Sequence, residues 1–454
     1  MPSKGRRKSH LVKLGAALAV AAALVASCSQ GNKDKAKSGG SSTTVAGSSS
    51  AAGTTPGGKS AGGKTTPGGK SSDGTSSAPG KSTSPSGGTS PSEGGQSNNK
   101  PPGSKDCTNG NPDTCFTPTK LEAGHKPPQF VVFSFDGVGW HEKWQYFQDI
   151  ANKVPVRFTG FLTGLYLVDE QHRDGYHPPG HKVGASSLGS FPTKAEVVQE
   201  INDLNAAYQR GDEIGTHFNG HFCSDNPPGG NQWTAADWKS ELQQFMYFVD
   251  NYKKVNGDDS LPDLAFTSKE IQGDRTPCLE GNVNVYYPVL KQFGFKYDSS
   301  PDRQGLEWPL KGTTTGIWMM GMPDWWLAGT QHYQIMMDYN MWYSQEQVGT
   351  PSPAKSAQDA KVVLQTYKNM YNAAYNGNRA PLIIGNHFNN WNNGAYTEAV
   401  GEFMQWVCAK KDTKCVPFRD VVRWMDYQNP SVLKRLQALP PELPQKGRDD
   451  QPAA

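Results

Sequence analysis

The chain has 454 residues, including 50 glycines and 33 prolines, and a formal net charge of +3. A balance so close to neutral, with no basic block in the part that can fold, lacks the electrostatic footprint of a nucleic-acid binder. The length exceeds one ordinary domain, but a long N-terminal stretch has too few apolar residues to build a core, so one globular domain is expected.

The first segment, MPSKGRRKSHLVKLGAALAVAAALVASCSQ, joins a basic stretch to an apolar run and then to small residues before Cys28, the anatomy of an export signal. The apolar run is too short to remain in a bilayer as a spanning helix. LVASC resembles the lipobox of bacterial lipoproteins. Residues 1–28 are therefore expected to be a lipoprotein signal peptide, with Cys28 the lipidated anchor to the outer face of the cell membrane. Residues 29–105 are mostly Gly, Ser, Thr, Pro and Lys, a composition that cannot offset the entropy of ordering, and read as a disordered tether. About 75 such residues reach on the order of 50 Å. Setting Cys28 apart from the seven cysteines leaves an even number, which in an exported protein favours disulfides. Cys107 with Cys115 and Cys408 with Cys415 are the local pairs; a structural zinc cluster is disfavoured because no CxxC occurs.

Residues 106–438 form the expected domain. FVVFSF is a predicted strand and RFTGFLTGLYLV a second; TKAEVVQEINDLNAAYQRG has apolar residues at helical spacing and a closing glycine. DEIGTHF reads as a strand and loop, AADWKSELQQFMYFVDNYKKVNG as a helix, LAFTSKEIQGDR as a strand and NVYYPVLKQFG as a helix. FKYDSS and APLIIGNHF are later strands, and residues 439–454 read as a disordered tail. The alternation predicts a parallel α/β sheet closed into a barrel, with ligands gathered at the C-terminal ends of its strands.

That rule selects a scattered polar set. Asp136 ends VVFSFD, His217 and His221 follow DEIG, Arg275 follows IQGD, Asp298 ends FKYD and His387 ends LIIGNH. All are expected to face one mouth. Histidines four apart suit tetrahedral zinc if the segment curls into a helical turn. Alone the spacing is a weak signal, since ten histidines in this length give about 0.2 such pairs by chance. Each residue also has a structural explanation: Asp136 as a helix N-cap, Arg275 with Asp298 as a buried ion pair, His387 as a core histidine.

In order, FSFDG, GTHFNGH, DRTPCL, FKYDSS and APLIIGNHF resemble the five motifs of the polysaccharide deacetylase family, also called the NodB-homology or carbohydrate esterase 4 family. The resemblance runs from about Gln129 to Pro430, and YDSS, NRAPLIIGNHFNNW and RWMDYQNP resemble its chitin-deacetylase branch. It implies a distorted (β/α) barrel and metal-dependent removal of N-acetyl groups from a cell-wall or extracellular polysaccharide. It implies a divalent metal, zinc the expected ion, on His217 and His221, with Asp136 as general base and His387 as general acid. Arg275 would hold Asp136 ionised, and Asp298 would raise the His387 pKa. Cys278 stands where an aromatic usually follows Arg-x-Pro, and a bond to Cys223, two residues after His221, would compensate by tying the two metal-side loops.

The chain departs from the family at Gly137, where a second aspartate normally supplies the third protein ligand. Three outcomes follow: Asp136 itself ligates the metal; a neighbour such as His141 or Asp225 does; or the metal is weak or absent. The last would leave a glycan-binding pseudoenzyme. Deacylation of a non-carbohydrate amide is a third possibility, since the motifs specify the reaction centre and not the flanking subsites.

Overall fold

The computed structural model describes residues 116–445. The expected export signal, the Cys28 anchor, the tether and the Cys107–Cys115 pair lie outside them. In chain order the first half contains β1 (Gln129–Asp136), α1 (His141–Ala151), β2 (Thr159–Leu162), α2 (Lys194–Arg210), β3 (Glu213–Thr216), α3 (Ala235–Val255), β4 (Gly273–Asp274), α4 (Val283–Gln292) and β5 (Tyr297–Asp298). Short strands follow: β6 (Asp302–Gln304), β7 (Leu310–Lys311), β8 (Trp318–Met319), β9 (Met322–Trp326) and β10 (Tyr333–Ile335). The chain ends with α5 (Asp338–Glu346), α6 (Pro353–Asn376), β11 (Leu382–His387), α7 (Ala395–Cys408), β12 (Thr413–Cys415), α8 (Phe418–Tyr427) and α9 (Pro430–Gln437).

β1 is buried along its whole length, as an apolar strand covered on both faces must be. One edge of β1 pairs in parallel with β11; the other pairs with β12 at Gln129–Val131 and with β2 at Ser134–Asp136. The path β11-β1-β2-β3-β4-β5-β8 is parallel throughout, with β7 antiparallel at its end. β10, β9 and β6 form a small second sheet, and Met337 bridges to Gly385 on β11. The result is a curled, parallel-rich sheet with helices outside it, the expected distorted (β/α) barrel.

The helices start and stop where side chains can satisfy their free backbone groups. Thr193 and Glu196 form a reciprocal capping box at α2, as Thr234 and Asp237 do at α3, and Gly211 ends α2 at φ +92°. Successive strand residues point to opposite faces, so the barrel has two cores. Val131, Phe133 and Phe135 join the core beneath the helices. Phe130 and Val132 pack inside the barrel with Phe161, Tyr297, Ile383 and Phe418. Ser134 and Asp136 continue that inner face toward the C-terminal end of β1, and Gly385 and His387 do the same on β11.

Several expectations are corrected. The second strand stops at Leu162 and gives way to a 3-10 turn at Gly164–Leu167. Of LAFTSKEIQGDR only Gly273–Asp274 is strand. The expected tail beyond residue 438 is ordered to residue 445, because Glu442 exchanges two backbone hydrogen bonds of 2.9 Å with Leu306 and accepts from the Asn378 amide through Oε1. The Cys223–Cys278 and Cys408–Cys415 disulfides are formed as expected. Among the described residues no helix is long and apolar enough to cross a membrane.

Candidate active site

Asp136 and His387 are Cα partners on adjacent parallel strands. Arg275, entirely buried, reaches across the inner face toward them. Its Nη1 donates to Asp136 Oδ1 at 2.7 Å, its Nη2 to Ser134 Oγ and Ser299 Oγ at 2.9 Å, and its Nε to the Ser299 carbonyl. The Phe161 ring lies 4.7 Å from the guanidinium carbon. A Cβ on Gly385 would stand 2.5 Å from Met322 Cε and 3.5 Å from Arg275 Nη1, so the bare backbone there gives both side chains room. Burial pushes the Asp136 carboxyl up, but the Arg275, His217 and His387 charges outweigh it and hold the group below its usual 3.8. Asp136 is thus not a helix cap: the N-cap of α1 is Trp140, and no side chain caps that helix.

The histidine pair sits on the loop after β3. The segment does not make the expected helical turn; Phe218 and His221 both take left-handed backbone, at φ +59° and +55°. The two imidazoles still come together, with ring centroids 5.2 Å apart. His217 Nδ1 donates to the Arg275 carbonyl at 2.8 Å, leaving Nε2 buried, unprotonated and without a hydrogen-bond partner. Burial lowers the pKa of both rings, His221 to about 3 with the His217 charge adding to the effect. Glu241 on α3, unforeseen in the sequence, clamps the turn: its Oε1 accepts from the Asn219 and Gly220 amides at 3.1 and 3.2 Å and from the Tyr176 hydroxyl at 2.9 Å. Burial raises the Glu241 pKa to about 7.

His387 has a different partner from the expected one. Its Nδ1 donates to Asp338 Oδ1 at 2.7 Å, and its backbone amide donates to Asp338 Oδ2 at 2.8 Å. Burial disfavours the imidazolium, but the Asp338 charge and hydrogen bond prevail and raise the His387 pKa above 6.5. Asp298 does not reach this group. Tyr297 occupies the inner face of β5, so Asp298 points outward by the period of two, where it accepts from the Tyr286 and Tyr287 hydroxyls at 2.6 and 2.9 Å. Burial also raises its pKa, the wrong direction for stabilising an imidazolium. Asp298 likewise makes no ion pair with Arg275, whose carboxylate partner is Asp136. The only local signal for Asp338 was an acid opening a helical stretch; its distance of 49 residues from His387 hid the pairing.

The expected metal does not find a closed ligand set. His141 Nδ1 is engaged by Asp203 on α2 at 2.8 Å, and Asp225 is exposed. Gly137, at φ +56°, contributes no side chain. Among the described residues, no His, Cys, Asp or Glu joins both His217 and His221 with ligand atoms mutually within 4.8 Å, Asp136 included. The orphaned His217 Nε2 is suited to a metal, but two imidazoles fall one short of the three protein ligands a catalytic zinc site requires.

Aromatic rings border His387. Trp391 lies 5.0 Å from it and stacks on Trp342 at 5.1 Å and 14°, while Tyr339 meets Trp391 edge-on. Tyr339 and Tyr343 are 37% and 52% exposed, whereas Trp318 and Trp325 are core.

No family model and no curated protein matches the sequence. Among solved structures, the chain is similar to a Mycobacterium smegmatis protein assigned as a polysaccharide deacetylase, at 16% identity and a TM-score of 0.41, over 73% of this chain and 98% of that one. It is similar to a chitin deacetylase from Colletotrichum lindemuthianum at 13% identity and 0.36, over 69% and 93%. It is also similar to a CE4 family pseudoenzyme from Bacillus anthracis at 12% identity and 0.34, over 68% and 70%. With overlaps this partial, the chain's own strand order and side chains define its fold and site.

Proposed function

We propose that this chain is a hydrolase that removes N-acetyl groups from a cell-wall or extracellular polysaccharide, cleaving a carbon–nitrogen bond other than a peptide bond. The observation that carries this reading is the ladder pair Asp136 and His387, one pKa held down and the other held up. Asp136 would take a proton from water as the water oxygen bonds to the acetyl carbon. His387 would give a proton from Nε2 to the departing nitrogen as the carbon–nitrogen bond breaks, releasing acetate and a free amine. Arg275 orients Asp136, and the exposed Tyr339 beside Trp391 offers a face for a sugar ring. His217 and His221 are the side chains that would hold a divalent ion, zinc by the sequence reading, but with no third ligand among the described residues it would be held weakly. Export and anchoring at Cys28 belong to the same proposal, and Cys28→Ala should release the protein from membranes.

The incomplete ligand set favours one second reading, a glycan-binding protein without turnover. Acetate release from an N-acetylglucosamine oligomer by the purified full chain, together with its metal content, separates the two. Release abolished by His387→Ala supports the hydrolase. Oligosaccharide binding with no acetate, in metal-free and zinc-supplied protein alike, supports the second.

A further inference from the structure

The one set of three potential metal ligands among the described residues is His221, Cys223 and Cys278, whose ligand atoms lie within 4.8 Å of one another. In the oxidised chain Cys223 and Cys278 are joined, and disulfide sulfurs carry no thiolate charge to offer a metal. His221 Nδ1 stands 3.8 Å from Cys223 Sγ. Cys278 is solvent-exposed while Cys223 is buried, so a reductant can reach the bond from the Cys278 side.

We infer that reduction of Cys223–Cys278 converts this corner of the cleft into a soft-metal site with two thiolates and one imidazole. A small dithiol is oxidised to its own disulfide as the Sγ–Sγ bond breaks and two cysteine thiols form. A divalent ion of the zinc or cadmium type then displaces both thiol protons to solvent. Thiolates about 2.3 Å and an imidazole about 2.0 Å from the ion need donor separations of roughly 3.5 to 4 Å; His221 Nδ1 and Cys223 Sγ, 3.8 Å apart, already stand at that spacing, and the two sulfurs reach it by moving apart once their bond is broken. Both sulfurs sit on loops that follow neighbouring strands, β3 and β4, so the ladder keeps them close after the bond opens. His221 would be drawn from the His217 side to the sulfur side, so the oxidation state of one exposed disulfide decides which ligand set the imidazole joins. The inference stands whether or not the chain hydrolyses anything.

The full chain is reduced with dithiothreitol, freed of it by anaerobic desalting, and titrated with cadmium alone, with alkylation mapping to verify that Cys223 and Cys278 are free. One equivalent should bind with an ultraviolet sulfur-to-cadmium charge-transfer band, absent from the oxidised chain. Cys278→Ser should remove at least half of the band, and His221→Gln should lower the affinity by about tenfold or more. A Cys408→Ser control should retain the signal. No band in a chain with both thiols verified free, or a band of equal strength in Cys278→Ser, overturns the inference. Because the readout is spectroscopic, a failure here is distinct from a failure of acetate release.

Discussion

Asp338 sets the charge of His387 through a carboxylate that is fully buried and receives both the ring and the backbone amide. A raised imidazole pKa keeps the acid form present below it and loses that form as pH rises through it. In Asp338→Asn the charge is gone and the His387 pKa should fall. The alkaline limb of the pH profile of kcat/KM should then move to lower pH by about one unit or more. An unshifted limb would show that Asp338 does not tune the acid. Gly137 offers a gain-of-function counterpart. Its left-handed backbone is one that aspartate tolerates better than most residues, and a new Cβ would meet only Tyr166 Oη at 3.4 Å and Thr163 Oγ1 at 4.0 Å. Gly137→Asp should raise zinc affinity by about tenfold or more, at a cost of about 1 kcal/mol in stability. Competition against a chromophoric chelator measures it, and unchanged affinity would remove the metal role from His217 and His221. At this scale the sequence placed Asp136, Arg275, His217, His221 and His387 near one another because each ends a strand or follows one closely. It misplaced Asp298 because a two-residue strand gives no alternation from which to read its inner face.

Helix α3 does more than cover the sheet, since its Glu241 holds the turn between the two histidines. With a folded pKa of about 7 against an ordinary 4.5, the native state binds the extra proton across that window. Stability from this group is therefore greatest below pH 4.5, falls as pH rises toward 7, and is flat above it. The full drop is on the order of 3 kcal/mol. Glu241→Gln should flatten the difference in denaturant stability between pH 5 and pH 8, whereas a slope identical to that of the unsubstituted chain would assign the dependence elsewhere. Glu241→Ala leaves two buried amides unmet and should cost about 1 to 3 kcal/mol for each. α2 and α3 were legible because their capping residues, Thr193 and Thr234, and their apolar spacing are local. β4 and β5 were each read as part of a longer strand, because strands of two residues take their bounds from their neighbours.

For the whole molecule, the last described residues act as a strap. Glu442 pairs with Leu306, and Asn378 Nδ2 donates to the carbonyls of both Leu306 and Pro440. A chain ending at residue 438 should lose about 2 to 4 kcal/mol, seen as a Tm lower by several degrees. An unchanged Tm would mean that the strap only decorates the barrel. A proline-rich composition made this segment read as disordered; an extended strap bridged to Leu306 uses the same residues, and only its partner tells them apart. The barrel class itself was legible from the alternation of strand and helix patterns, whereas the small second sheet and α5, which supplies Asp338, follow no such rhythm.

Because Asp136 and His387 are rungs of a ladder buried on both faces, no hinge can part them without tearing β1 from β11. The chemistry is stationary. Under the proposed function a polymer would have to be brought to a fixed point, and the loops at the rim would govern which chains are accepted.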